Sequence, residues 1–168
     1  MRTKEQLANS LMECLREVSA LLEHAHSVAL KQQSGLVNND AEIITQTCKM
    51  QEEILRHISD SDQRAANIAE DLIKLTGIDP ESANTETIAD AVGFPYSDII
   101  KQQTASITKL AAKVQEANEI NAVLLKNGLE IIACCLKTLA TDSSPIAYNN
   151  SALISGVQPQ ILSLDLRA

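Results

Sequence analysis

The chain has no tryptophan, one phenylalanine and two tyrosines among its 168 residues. Sandwiches and barrels draw on aromatic and β-branched side chains, so this scarcity argues against them. Its apolar share rests on Leu, Ile, Ala and Val, which suits helices packed side by side. Positive charge is also short. Fourteen Lys and Arg stand against 22 Asp and Glu, for a net charge of -8, and a phosphate-backbone partner needs clustered cations. Nucleic acid is therefore not expected as a partner. No apolar run follows Arg2 and Lys4, and none approaches the roughly 20 residues of a membrane span. A cytoplasmic protein without membrane insertion is the expectation.

Catalytic and metal-binding signatures are missing as well. Cys14, Cys48, Cys134 and Cys135 show no C-x-x-C spacing, and most fall on apolar helical faces, so free buried thiols in a reducing compartment are expected. His24 and His26 are two apart on a helix and point to different sides. His57 follows Glu53 by four residues, the spacing of a surface pair. There is no nucleophile elbow, glycine-rich phosphate loop, H-E-x-x-H or paired-carboxylate motif. The reading is a protein that is not an enzyme, with no cofactor, metal or catalytic residue.

Three long amphipathic stretches are present. Thr3 and Gln6 have capping-box spacing, and Leu7, Leu11, Leu15, Val18, Leu22, Ala25 and Ala29 follow in steps of four and three. A first helix over about 4–34 is expected, stopped at Gly35. Asn39 and Glu42 read as the next capping box. A second helix over 40–76 carries Ile43, Met50, Ile54, Ile58, Ala65, Ile68, Leu72 and Leu75 before Gly77 and Pro80. It is expected to run unbroken through "SDSD" at Ser59–Asp62, because the apolar phase is the same on both sides. The short first link forces an antiparallel hairpin.

Residues 77–96 hold two Pro and two Gly and lose the pattern, with one short helix expected at about 86–92. Asp60 to Asp98 contains nine acids and two bases. A third long helix over 97–139 has the seam Ile100, Ile107, Leu110, Val114, Ala117, Asn121, Leu124, Gly128, Ile131 and Cys135. The expected fold is all-α: an elongated antiparallel three-helix coiled-coil bundle over 1–141 with an irregular C-terminal tail over 142–168. The third helix should lie antiparallel to the second.

Two features of this last helix bear on function. Its seam spends layers on an amide, Asn121, and on Gly128, which has no side chain; such residues can fix register and let a neighbour approach closely. Beside the seam, Leu125, Leu129, Ile132, Leu136 and Leu139 form a second apolar stripe. Either the first two helices flank this end and bury both stripes, or the second stripe is a groove for a partner helix or for the chain's own tail. The tail is rich in Ser, Asn and Pro yet ends with Ile161, Leu162, Leu164 and Leu166, a cluster that suggests docking rather than a solvated linker.

The stretch "NEINAVLLKNGLEIIACCLKTL", the later "AYNNSALIS" and the closing "LDLRA" are similar to the FlgN family of flagellar export chaperones. That resemblance implies a substrate-specific chaperone for hook-filament junction (hook-associated) proteins. Such a chaperone binds the helical C-terminal segment of each, prevents self-association, and delivers it to an export apparatus component without using ATP. It implies a partner site on the Leu stripe together with Tyr148, Ile161, Leu162, Leu164 and Leu166, and register set by Asn118, Asn121 and Gly128. A monomer or weak homodimer is expected on this reading. The alternative is a structural or signalling coiled coil that self-associates strongly.

Overall fold

The computed structural model describes the backbone of residues 2–141 and the side chains of residues 2–138. Within that range the chain is helical with no strand: α1 (Lys4–Val37), α2 (Ala41–Thr76), a 3-10 turn (Pro80–Ser82), α3 (Thr85–Val92) and α4 (Tyr96–Thr141). The all-α bundle is as expected, with three long helices and one short one.

α1 begins with the anticipated capping box. The Gln6 backbone N–H donates to Thr3 Oγ1 at 3.2 Å, and the Thr3 N–H donates to Gln6 Oε1 at 3.0 Å. It does not stop at Gly35. That glycine is buried inside the helix, which continues to Val37, and Asn39 takes the left-handed conformation instead, at φ 52°. Close approach explains the glycine: a Cβ there would lie 2.7 Å from Ile43 Cγ2 on the facing helix. The cap of α2 shifts likewise, from Asn39 to Asp40, whose carboxylate accepts from the Glu42 and Ile43 N–H groups at 3.1 and 3.0 Å.

α2 is one helix through Ser59–Asp62 and ends on left-handed Gly77 at φ 72°. Ser61 is fully buried there, with Arg64 donating to its Oγ at 2.9 Å and to Glu17 Oε2 of α1 at 2.6 Å. In the link, Asn84 and Thr87 form a second capping box that starts α3.

The core has three levels along the bundle axis. At one end Leu7, Leu11, Ile68, Leu72, Ile88, Ala89, Val92 and Ile100 pack together, so α3 closes that end. Val18, Leu22, Val28, Ile54, Ile58 and Ile107 form the middle. Farther along, Asn121 of α4 meets Ala29 and Gln32 of α1. These levels make α4 parallel to α1 and antiparallel to α2. α1 is the helix along which both others pack.

Candidate functional site

The third level is a polar layer drawn from all three long helices. Asn121 is 3% exposed. Its Nδ2 donates to the Ala29 carbonyl at 2.9 Å and to Gln32 Oε1 at 3.0 Å. Gln32 Nε2 donates to Gln51 Oε1 at 3.2 Å and to Cys48 Sγ at 3.3 Å, while Gln51 Nε2 donates back to Gln32 Oε1 at 3.3 Å. Asn121 Oδ1 is buried without a protein donor. A heptad shift of α4 would set Gln32 against Val114 or Gly128 and carry Asn121 Nδ2 away from both of its acceptors, so the layer favours one alignment.

That alignment fixes how far α4 projects. Beyond the layer, α1 continues only from Gln32 to Val37, whereas α4 continues from Asn121 to Thr141. The surplus is about fifteen residues, on the order of 20 Å at 1.5 Å per residue. Neither α1 nor α2 flanks it. Leu125, Leu129, Ile132 and Leu136 are 43%, 65%, 56% and 61% exposed, and the seam residue Ile131 is exposed beside them. Of the two arrangements open to the sequence, burial of both stripes by the first two helices does not occur.

The three residues expected to set register separate. Asn121 is buried in the polar layer, but Asn118 is exposed. Gly128 lies where a Cβ would meet nothing within 4 Å, so no neighbouring helix of this chain comes close to it. Leu139, Tyr148, Ile161, Leu162, Leu164 and Leu166 have side chains outside the described residues. Gln32 and Gln51 were missed by the sequence reading. Gln32 continues the Ala25, Ala29 phase of α1 by three, so a polar residue in seam register was the available signal.

The cysteines also differ from expectation: only Cys14 is buried, while Cys48, Cys134 and Cys135 are exposed, and all four are free. Burial raises the Cys14 thiol above its usual range, with nearby Arg64 acting in the opposite direction. A buried thiol held protonated is a poor nucleophile. Among the described residues no three His, Cys, Asp or Glu side chains cluster as a metal site. No helix there is long and apolar enough to cross a membrane.

Among the described residues the bundle thus extends one long helix past the end of α1 with aliphatic side chains exposed, the kind of surface on which a partner helix can be laid. The family model described as FlgN protein matches residues 1–155. The chain belongs to the FlgN family and is a flagellar export chaperone by family. The match ends before Ile161, so it does not extend to the aliphatic cluster at the end of the tail. No curated protein and no solved structure matches the chain.

Proposed function

We propose that this chaperone serves hook-filament junction proteins, holding the helical C-terminal segment of each against the projecting end of α4. Leu125, Leu129, Ile132, Leu136 and Leu139 would supply the apolar surface. Tyr148 and the aliphatic cluster Ile161, Leu162, Leu164 and Leu166 would close over the bound helix from the tail. Covering the segment prevents premature self-association, and the complex passes to a component of the export apparatus in the cytoplasm. The chain acts by binding alone, with no catalysis, cofactor or metal.

The observation that carries this reading is the uncovered stripe. Each large aliphatic side chain moved from water into a helix–helix contact contributes about 1.5–3 kcal/mol, so a charge in mid-stripe removes both its own contact and that of its neighbours.

The test is titration calorimetry of the full chain with the C-terminal segments of hook-associated proteins. Leu129→Glu and Ile132→Glu together are expected to weaken binding about a hundredfold, and removal of residues 142–168 about tenfold. Unchanged affinity in the double variant overturns the assignment of the α4 end. Absence of binding by the unmodified chain to every such segment overturns the assignment of the partner.

A further inference from the structure

Phe94 is the only phenylalanine of the chain, and among the described residues it is the most exposed of the large apolar side chains, at 88%. An exposed leucine is ordinary, whereas an aromatic ring left almost wholly in water is the informative exception. The core at this end of the bundle lies close by: Val92 is buried, and Tyr96 and Ile99 pack against the same cluster. The turn that carries Phe94 is tied down on both sides. The Gly93 N–H donates to the Ala89 carbonyl at 3.1 Å, and the Ser97 N–H donates to the Gly93 carbonyl at 3.0 Å. Lys4 Nζ of α1 donates to the Ala91 carbonyl at 3.2 Å. The ring therefore projects from a fixed corner between α3 and α4, and binding there has little backbone left to order.

The surroundings of the ring have one sign of charge. From Leu75 to Ile100 the chain holds Asp79, Glu81, Glu86, Asp90 and Asp98, all exposed, and no Lys, Arg or His. Lys101 sits against Asp90 and titrates above its ordinary range, chiefly through that hydrogen bond, with Glu86 and Asp98 adding to the effect. Lys4 and Lys101 are outnumbered, and the corner stays anionic. This sign selects the occupant. Nucleic acid and the anionic face of a membrane are repelled, and a second copy would set one acidic corner against another. A protein surface with Lys and Arg around an apolar hollow is attracted instead. Aromatic side chains seated centrally in such hollows supply much of the affinity of protein interfaces.

We infer that Phe94 anchors a second docking site, where its ring enters an apolar pocket rimmed by Lys and Arg on another protein and Glu86 and Asp98 face those cations. Along α4, Leu125 lies about 45 Å from this corner at 1.5 Å per residue. The corner is therefore open while the stripe is occupied, and the inference stands whatever the stripe binds.

The experiment uses the full chain grown with 4-fluorophenylalanine, which labels Phe94 alone, so a single fluorine resonance reports the site. The first probe is β-cyclodextrin, whose cavity admits one phenyl ring, compared with its derivative bearing an ammonium on every glucose unit. Both should shift the resonance, and the cationic host should bind at least about tenfold more tightly. Glu86→Gln with Asp98→Asn should remove most of that preference. The second probe is p-benzoylphenylalanine at position 94, irradiated in living cells, which should yield an adduct with a separate protein. That protein, once identified and purified, should bind the unmodified chain, and its affinity should fall at least about tenfold in Phe94→Ala and fall with rising salt. A resonance that neither host moves overturns the proposal by showing the ring covered, and equal affinity for the two hosts overturns the charge assignment. The absence of an adduct, or an adduct to a second copy, to the chain's own tail or to lipid, overturns the choice of occupant. A purified partner that tolerates Phe94→Ala, or that is lost in Leu129→Glu, does the same.

Discussion

At the scale of single residues, two glycines of the same helical type have opposite uses. Gly35 sits where the hairpin closes most tightly, with Ile43 2.7 Å from where its Cβ would be. Gly35→Leu is expected to destabilise the bundle by about 1–3 kcal/mol through overpacking, read as a lowered melting temperature. Gly128 has open space around it, so Gly128→Ala should gain about 0.5–1 kcal/mol of helix propensity without a steric cost. The polar layer is similarly uneven. Asn121→Leu removes a buried acceptor that has no donor and leaves Gln32 still bonded to Gln51, so its net effect should lie within about 1 kcal/mol. Gln32→Leu strips partners from both Gln51 and Asn121 and should cost about 1–3 kcal/mol. Melting curves that place the Asn121 variant below the Gln32 variant would contradict this account.

At the scale of elements, α3 is a clasp at one end of the bundle, and its tie to α4 is partly electrostatic. Asp90 Oδ1 accepts from Lys101 Nζ at 2.6 Å and from Ser97 Oγ at 3.2 Å. The hydrogen bond from Lys101 is the main reason that the Asp90 carboxyl titrates below its ordinary range. Its folded value is depressed, so the pair's contribution is fully present above the unfolded value of about 3.9 and is lost as pH falls through the folded one. Both groups are exposed, and the contribution is small. Asp90→Asn should lower the melting temperature slightly at neutral pH, and the difference from the unmodified chain should close in strong acid. A difference that grew on acidification would contradict the assignment. At the other end, α4 runs on past the end of α1, and Leu125, Leu129, Ile132 and Leu136 of its stripe are exposed. Changes to its stripe are therefore expected to alter association while leaving the thermal unfolding of the bundle nearly unchanged.

At the scale of the whole molecule, the exposure of its thiols provides a direct check on the alignment of the helices. Cys48, Cys134 and Cys135 are exposed and Cys14 is buried. In the native protein, three thiols should react with a small disulfide reagent in a fast phase, and the fourth at least tenfold more slowly, since its thiolate is suppressed and its access blocked. Denaturant should merge the two phases into four equivalent groups. If α4 were drawn back along α1, Cys134 and Cys135 would leave the fast phase.

Much of this architecture was determined by the sequence alone. Steps of three and four placed the long helices, the Thr3–Gln6 and Gly77 signals fixed two of their ends, and short links forced the antiparallel order, because these are local matters of backbone sterics and of which side chains share a face. The family was legible in the stretch from Asn118 to Leu139. What only the tertiary structure decided was relative position. Gly35 read as a stop because glycine favours a left-handed turn, but packing against Ile43 uses it as a close contact inside the helix. Asn118, Asn121 and Gly128 looked alike as breaks in an apolar pattern, yet one is exposed, one is buried and one faces open space. A helix's periodicity says which residues lie on one face; it does not say how far the neighbouring helices extend along that face. The difference between the end of α1 at Val37 and the end of α4 at Thr141, measured from the shared Gln32–Asn121 layer, is what leaves the Leu stripe uncovered.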